Sequence, residues 1–175
     1  IPIQSRLTSN GWRVYLCQQT ELPIFSMRLY LSGGSLLDPV NKYGCTRLTN
    51  HLFLRHLHTI GENLIIGGDL AIGTTAQHRL FSIESLKEDM PIVLKWLADG
   101  FRSFSPTQKG LKQLQFLVKQ DILYGQDHAD ILGGWMLKEL YHGPNHPLRF
   151  GAQGSMASTQ AITLSDIEET FATLQ

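Results

Sequence analysis

Charge is scarce in this sequence, and neither sign is in excess. Only 17% of the 175 residues are charged, and 15 Lys and Arg balance 15 Asp and Glu. Protein domains that bind nucleic acid are usually basic, and a net charge of zero does not indicate such a domain. Long hydrophobic runs are missing as well, since none approaches the roughly 20 residues that a membrane-spanning helix needs. Neither nucleic-acid binding nor membrane insertion is therefore expected, and the hydrophobic content of 42% is that of a globular protein.

Cysteine is rare, and its two copies have no metal-binding spacing. Cys17 and Cys45 lie far apart in the sequence. A disulfide between them would form only in an oxidising compartment, whereas buried free thiols are common in globular cores. The sequence favours two buried free thiols and leaves the disulfide open.

Several familiar catalytic and binding motifs are also missing. The Gly-Gly pair before Ser35 is followed by no Walker lysine, so it is not a phosphate loop. Ser35 has no evident His and Asp partners, which a serine hydrolase would need. His51, His56 and His58 are close in sequence, but their spacing does not suit one helix face. A helix end with polar histidines is the favoured interpretation of this cluster, and a metal site remains the alternative.

Alternating hydrophobic residues and turn signals predict strands that pair as hairpins. Asn10-Gly11 suits the positive φ of a tight turn, and Met27, Leu29 and Leu31 share one face of a strand. Residues 62–68 fit either a strand or a turn of helix. In chain order, the predicted elements are a hairpin at 5–17, a strand at 24–32, a helix at 44–58, strands at 69–75 and 77–84, and helices at 86–103, 106–123, 129–141 and 164–175.

Capping residues indicate where the later helices begin. Ser105 before Pro106 predicts one helix start, Asp127 the next and Thr163 the last. Helices placed between and after antiparallel hairpins predict an α+β fold, in which helices cover a mainly antiparallel sheet as a two-layer sandwich. No repeat or linker divides the chain, so residues 1–175 are predicted to form a single domain. Because the chain lacks an initial Met and stops within an amphipathic pattern, we expect a fragment of a longer, two-domain chain.

The predicted helix at 44–58 is the segment around which the rest of the chain is organised. Leu48 and Leu52 recur at helical spacing with the leucines that follow them, which indicates a buried helix. At its centre stands Arg47-Leu-Thr-Asn50-His51. This run has the frame of a His-x-x-Glu-His zinc site in which the first histidine and the glutamate are replaced.

The order and spacing of these segments resemble the insulinase/pitrilysin family of metallopeptidases, the inverzincins. The resemblance rests on the Asn-Gly turn and the Gly-Ser…Asp-Pro loop of the opening segment, and on YGCTRLTNHLF in the place of the family's G-x-x-H-x-x-E-H. It extends through ESLKEDMPIVLKWLADGFRSFSP, the loop ELYHGPNHPLRFGAQGS and the closing ITLSDIEETF. It implies an N-terminal-type half-domain of the clamshell subunit that this family builds from two halves.

The resemblance implies where a zinc site would lie and what it lacks here. The family binds zinc through two histidines one helical turn apart and a later carboxylate, and the glutamate takes a proton from the zinc-bound water. Arg47 stands at the first ligand position, and a guanidinium has no lone pair for a metal. Asn50 stands at the base position and cannot accept a proton at neutral pH. His51 is retained, and Asp121, one methylene shorter than the family's glutamate, falls near the later carboxylate. We therefore expect no catalytic residue, no metal ligand set and no bound zinc.

The charge of Arg47 has two interpretations. It could replace the charge of the metal ion by forming a buried ion pair with Asp121 or another carboxylate, which would hold two helices together although its net stability is doubtful. It could equally lie on the exposed side of its helix. The sequence does not separate the two.

A possible peptide-binding edge strand follows from the same resemblance. Family members hold substrates as an added strand, by backbone pairing. The matching segment lies within residues 67–75, with Leu70, Ala71, Ile72, Gly73 and Thr74 at its centre. Ala71 lacks the side-chain amide that the family commonly places there, which removes one substrate hydrogen bond. A plain sheet edge, covered by the rest of the clamshell, is the alternative.

The sequence predicts a non-catalytic peptidase-family homologue that pairs with an active zinc metallopeptidase subunit and helps to enclose and bind peptides. It resembles the inactive subunits of bacterial heterodimeric members and of mitochondrial processing peptidase. The expected location is the bacterial periplasm or cell envelope, with the mitochondrial matrix as the alternative. Two other functions stay open: a structural scaffold like the core proteins of the respiratory cytochrome complex, and a residual zinc metallopeptidase with unrecognised ligands.

Overall fold

The computed structural model describes residues 3–9, 11–19, 21–62, 68–143 and 146–173. Asn10 and most of the ambiguous 62–68 segment lie outside these residues. In chain order the elements are β1 (Ile3–Leu7), β2 (Arg13–Cys17), β3 (Ile24–Ser32), α1 (Cys45–Ile60), β4 (Gly68–Thr74), β5 (His78–Leu86), α2 (Met90–Ser103), α3 (Gln108–Gln126), α4 (Ala129–His142), α5 (Met156–Gln160) and α6 (Leu164–Ala172).

An antiparallel sheet of three strands forms one layer of the fold. Its order is β3-β5-β4, so that β5 is central. Leu29 on β3 and Ile72 on β4 both pair with Phe81 on β5. Strands β1 and β2 form a separate antiparallel hairpin. The predicted α+β fold, with helices packed on a mainly antiparallel sheet, is confirmed.

Helix α1 is buried between two hydrophobic clusters. Phe53 and Leu57 face the first cluster, which the sheet, α2 and α6 complete. Leu48 and Leu52 face the second cluster, which contains the buried row of α3. Because its apolar residues recur along two sides, the helix joins both halves of the core. The prediction of a buried helix at this point is confirmed.

Two predicted helix starts and one predicted cap were wrong, whereas the predicted start of α4 at Ala129 is confirmed. Strand β5 continues to Leu86, so α2 begins at Met90 and not at residue 86. Thr107, not Ser105, caps α3, since its side chain accepts a hydrogen bond from the Gly110 amide. Asp127 closes α3 instead of opening α4. Thr163 does cap α6, in a reciprocal capping box with Asp166.

Arg79 is the largest fully buried side chain among the described residues, and its burial was not predicted from the sequence. It lies on the inward row of β5 with Phe81 and Ile83. Its Nε donates to the Gly33 carbonyl at 2.8 Å, and both Nη atoms donate to the Thr170 carbonyl at 3.2 Å. The guanidinium therefore ties the end of β3 to the last turn of α6.

The two cysteines are free, and only Cys45 is buried. The prediction that both are buried was wrong for Cys17, which lies on the exposed hairpin. Burial raises the pKa of the Cys45 thiol to about 11, and its Sγ lies 3.2 Å from Thr170 Oγ1. A thiol of this kind is inert at mildly alkaline pH because the reactive species is the thiolate.

A thiol titration should therefore count one reactive cysteine in the native protein. With a disulfide reagent such as Ellman's at pH 8, we expect Cys17 to react within minutes and Cys45 only after unfolding in guanidinium. The variant Cys17→Ser should show no fast thiol and one thiol after unfolding. Two fast thiols in the native wild type would contradict the burial of Cys45.

None of the described helices is both long and apolar enough to cross a bilayer.

Candidate functional site

The start of α1 is fixed by a buried carboxylate that precedes it in the chain. Asp38 Oδ2 accepts a hydrogen bond from the Gly44 amide at 2.7 Å, and Oδ1 accepts one from the Thr46 amide at 2.7 Å. These are backbone donors of the first helical turn, which has no side-chain cap at Gly44 itself. Burial raises the pKa of Asp38, against the lowering effect of its bonds to Thr46 and Gly44. These two hydrogen bonds fix the start of α1, the helix that carries Arg47, Asn50 and His51.

Arg47 and Asp121 meet across α1 and α3. Arg47 Nη2 lies 3.5 Å from Asp121 Oδ2. The ion pair that was one of the two interpretations of Arg47 is present, although it is not buried, because the side chains are 27% and 63% exposed. Exposed pairs of this geometry contribute between about 0 and 1 kcal/mol. The pair orients the guanidinium more than it stabilises the fold.

Asn50 joins α1 to the neighbouring edge strand. Its Nδ2 donates to Thr74 Oγ1 at 2.8 Å, and the residue is buried. Its Oδ1 is buried and has no hydrogen-bond partner among the described residues. At the position where the family's glutamate would stand, this chain has an amide that connects helix to strand.

His51 is half-buried beside Arg47. Burial lowers the pKa of His51, and the positive charge of Arg47 lowers it further, while Asp121 raises it. At neutral pH the imidazole is therefore uncharged. It lies within the cleft described next.

A cleft of about 240 Å³ opens above these α1 residues. One wall comes from β4, and the opposite wall comes from α4 and the segment 150–153. The lining residues are Arg47, His51, Ile72, Thr74, Lys138, Phe150, Gly151, Ala152 and Gln153. Neither a pocket at this place nor the contribution of Lys138 was expected from the sequence, because α4 lies far along the chain from α1.

The wall that contains residues 150–153 is held against the start of α1 by contact between the two main chains. Gly154, at φ +73°, leaves no room for a Cβ because such an atom would overlap the Tyr43 carbonyl. A Cβ on Gly44 would lie 2.6 Å from the Gln153 carbonyl oxygen. Both glycines have a positive φ, which few other residues adopt. The two segments can therefore approach more closely than side chains would allow.

The residues at the degenerate motif do not fit a zinc ion. Arg47 offers no lone pair and already contacts Asp121. Asn50 is engaged with Thr74, and His51 is the single remaining nitrogen ligand of the motif. His56, a candidate in the histidine cluster, lies 3.0 Å from Ser103 Oγ through its Nε2. In the described part of the chain, no three His, Cys, Asp or Glu side chains are placed to share a metal ion.

The predicted edge strand lies at the border of the cleft. Within the described residues β4 pairs with β5 alone, so its other edge has no strand partner. Ile72 and Thr74 line the cleft, and Leu70 and Ile72 both pack against the first core cluster. Ala71 and Gly73 alternate with these residues and belong to the other face of the strand. The geometry needed for strand addition is present, and peptide binding itself stays a prediction.

Comparison with known proteins identifies the fold of this chain. The chain has the fold of an M16, or insulinase-type, peptidase half-domain, and the resemblance predicted from the sequence is confirmed. No family model matches the sequence.

The similar proteins include both bacterial and mitochondrial members of this class. The inactive M16 peptidase domain from Pseudomonas fluorescens superposes with a TM-score of 0.78 at 20% identity, over 98% of this chain and 43% of that one. The periplasmic protease PqqL from Escherichia coli gives a TM-score of 0.82 at 11% identity, over 97% of this chain and 20% of that one. The alpha subunit of mitochondrial-processing peptidase from Solanum tuberosum is 26% identical over 129 residues, which are 69% of this chain and 25% of that protein. This chain thus spans less than half the length of each.

Proposed function

We propose that this chain is a non-catalytic half-domain that pairs with an active zinc metallopeptidase subunit and helps to enclose and bind peptides. One observation carries the proposal: the residues at the positions of the first zinc ligand and the base form structural hydrogen bonds and ion pairs, while the outer edge of β4 has no strand partner among the described residues. Arg47 contacts Asp121, and Asn50 holds Thr74 on β4. Chemistry is lost at this site, but the surface along which a substrate would lie is retained.

The open edge of β4 supports peptide handling over a purely structural role. A scaffold has no need of a strand edge beside a cleft, and proteins usually cover such edges because they promote aggregation. A peptide that adds to β4 gains backbone hydrogen bonds that do not depend on the missing amide at Ala71. The second half of the clamshell would enclose that peptide, as part of the same chain or as a partner subunit.

A location in the bacterial periplasm or cell envelope forms part of the proposal. The similarity to a periplasmic protease supports it. The similarity to a mitochondrial-processing peptidase subunit supports the mitochondrial matrix as the second candidate.

Two measurements test the proposal: the metal content of the purified chain, and peptide cleavage with and without a partner subunit. Elemental analysis of the purified chain should find far less than one zinc per chain, and the chain alone should cleave no peptide, with or without chelator. When it is co-expressed with a catalytic M16 subunit of the same organism, the two should co-purify. The pair should cleave peptides faster than the catalytic subunit alone.

The triple variant Arg47→His, Asn50→Glu and Asp121→Glu provides the matched control for zinc. It restores two histidines one turn apart on one helix face, together with a longer carboxylate, and we expect it to take up zinc. One zinc per wild-type chain with chelator-sensitive cleavage would contradict the proposal and favour a residual metallopeptidase. Co-purification without any effect on cleavage would favour the structural scaffold.

A further inference from the structure

The cleft above α1 carries positive charge with no acid among its described lining residues. Arg47 contributes from α1 and Lys138 from α4. The other lining groups are neutral at pH 7, including His51, whose pKa is lowered by burial and by Arg47. The cleft is therefore suited to an anionic group.

The guanidinium of Arg47 keeps most of its donors available. An arginine has five N–H donors, and the contact with Asp121 uses one of them at 3.5 Å. Charge-assisted bonds of full strength are about 2.7–2.9 Å long. Asp121 is 63% exposed and keeps its own hydration. A second carboxylate in the cleft could thus bind Arg47 without displacing a buried partner.

Lys138 has no carboxylate within ion-pair distance in the part of the chain that the structure describes. The acid next to it in sequence, Glu139, pairs with Arg149 instead. The Nζ atom lies near Gly151, at the wall of the cleft. A cation placed at a concave site without a partner is available for an anionic ligand.

The edge of β4 would direct such a ligand into the cleft. Ile72 and Thr74 are two residues apart on one face of the strand, and both line the cleft. Residues that pair across neighbouring strands project to the same face of a sheet. A peptide residue that pairs opposite residues 72–74 would therefore project its side chain, or its chain terminus, towards Arg47 and Lys138.

We infer that the cleft binds a carboxylate group of a peptide, held between Arg47 and Lys138. This inference rests on the proposed function only in taking the carboxylate to belong to a peptide. The group has two sources in a peptide, the C-terminal carboxylate and the side chain of Asp or Glu. Arginine can hold either in the same bidentate fork.

Small matched probes test the site without requiring peptide binding along β4. N-acetylglycine carries a terminal carboxylate, and N-acetylglycinamide is its neutral counterpart. N-acetylglutamate amide and N-acetylglutamine amide form the side-chain pair. In NMR titrations that follow the His51 ring and the Arg47 Nε–H, each acid should shift the signals saturably and each amide should not. The acid that binds more tightly identifies the source of the carboxylate.

Variants that remove one positive charge test whether the acids bind in the cleft. Arg47→Gln and Lys138→Gln should each weaken acid binding about tenfold, which corresponds to the loss of one charge-assisted hydrogen bond. Arg55→Gln and Lys112→Gln are the matched controls, because both residues are exposed cations outside the cleft, and they should bind as wild type. Circular dichroism melts of all four variants should coincide, since none of these residues is buried.

The outcomes separate this inference from the proposed function. If capped peptides bind but acids and amides bind equally, the carboxylate site is overturned while peptide binding stands. If the small acids bind and no peptide does, the peptide-handling role fails and the carboxylate site stands. Equal weakening by the cleft and control variants would also overturn the inference, because binding would then depend only on net charge. Inorganic phosphate that binds more tightly than either acid would overturn the assignment to carboxylate.

Discussion

Replacing Phe53 with alanine is expected to lower the free energy of unfolding by about 3–5 kcal/mol. The side chain is fully buried at 0% exposure, at the point where α1 meets the sheet. Its ring lies 4.6 Å from that of Phe101, 5.2 Å from Phe171 and 5.7 Å from Phe81, measured between centroids. The substitution removes both the transfer free energy of the ring and its aromatic contacts, and it leaves a cavity that the packed neighbours can fill only in part.

Urea unfolding followed by far-ultraviolet circular dichroism measures this loss. Phe116→Ala is the matched control, because Phe116 is 59% exposed on α3. Its effect should stay within about 0.5 kcal/mol. If the two substitutions destabilised the protein equally, the packing of Phe53 between helix and sheet would be wrong.

Replacing Arg79 with methionine is expected to cost about 2–4 kcal/mol, because buried acceptors lose their donors. Arg79 is 1% exposed, and its donors bond the carbonyls of Gly33 and Thr170. Methionine fills a similar volume but donates no hydrogen bond, so the Gly33 carbonyl loses the donor from Arg79, and the Thr170 carbonyl keeps only its bond from Thr173 Oγ1. The guanidinium also lies where the carbonyls of the last α6 turn favour a cation. Its loss should loosen α6 from the end of β3.

The matched control for Arg79 is Arg28→Met, at an exposed position on the adjacent strand β3. Its free energy of unfolding should differ from wild type by no more than about 0.5 kcal/mol. Hydrogen exchange adds a local measurement, since the amides of α6 should lose protection in Arg79→Met and keep it in Arg28→Met. A stable Arg79→Met variant with full protection of α6 would show that the buried guanidinium does not hold that helix.

The elements with strong local signals were predictable from the sequence alone. Strand β3 has an alternating apolar pattern over its whole length, and α6 opens with the capping box of Thr163 and Asp166. The start of α2 was not predictable, because it depends on how far β5 remains paired with β3. That pairing extends to Leu86 opposite Ile24, which are distant in sequence.

The positions of the degenerate motif were predictable, but their contacts were not. The five-residue frame places Arg47, Asn50 and His51 on one helix by spacing alone. The bond from Asn50 to Thr74 depends instead on the packing of α1 against β4, across 24 residues. The approach of Lys138 to the cleft depends on the fold of the loop that follows α4. Neither contact can be inferred from the periodic pattern of apolar residues in the sequence.

Arg79 was missed for a general physical reason. A charged residue in an alternating strand normally indicates the solvent face, since arginine is rarely buried without a paired acid. Here the carbonyls of Gly33 and Thr170 accept its hydrogen bonds, and the charge of Asp38 favours the charged guanidinium without a direct ion pair among the described residues. Such an arrangement becomes visible only when the ends of β3 and α6 are placed together in space.

The main-chain contact between Gly44 and Gly154 determines the shape of the cleft, whereas the lining side chains determine its chemistry. These two glycines set the distance between α1 and the wall that contains residues 150–153, so other residues are hardly tolerated at either position. The side chains of Ala152 and Gln153 are not part of that main-chain contact, whereas the Phe150 ring packs against Tyr43. Point substitutions at 152 and 153 can give the cleft a new ligand preference in a single evolutionary step, at constant geometry. If so, sequence variation among close relatives should concentrate at 152–153 and spare the two glycines.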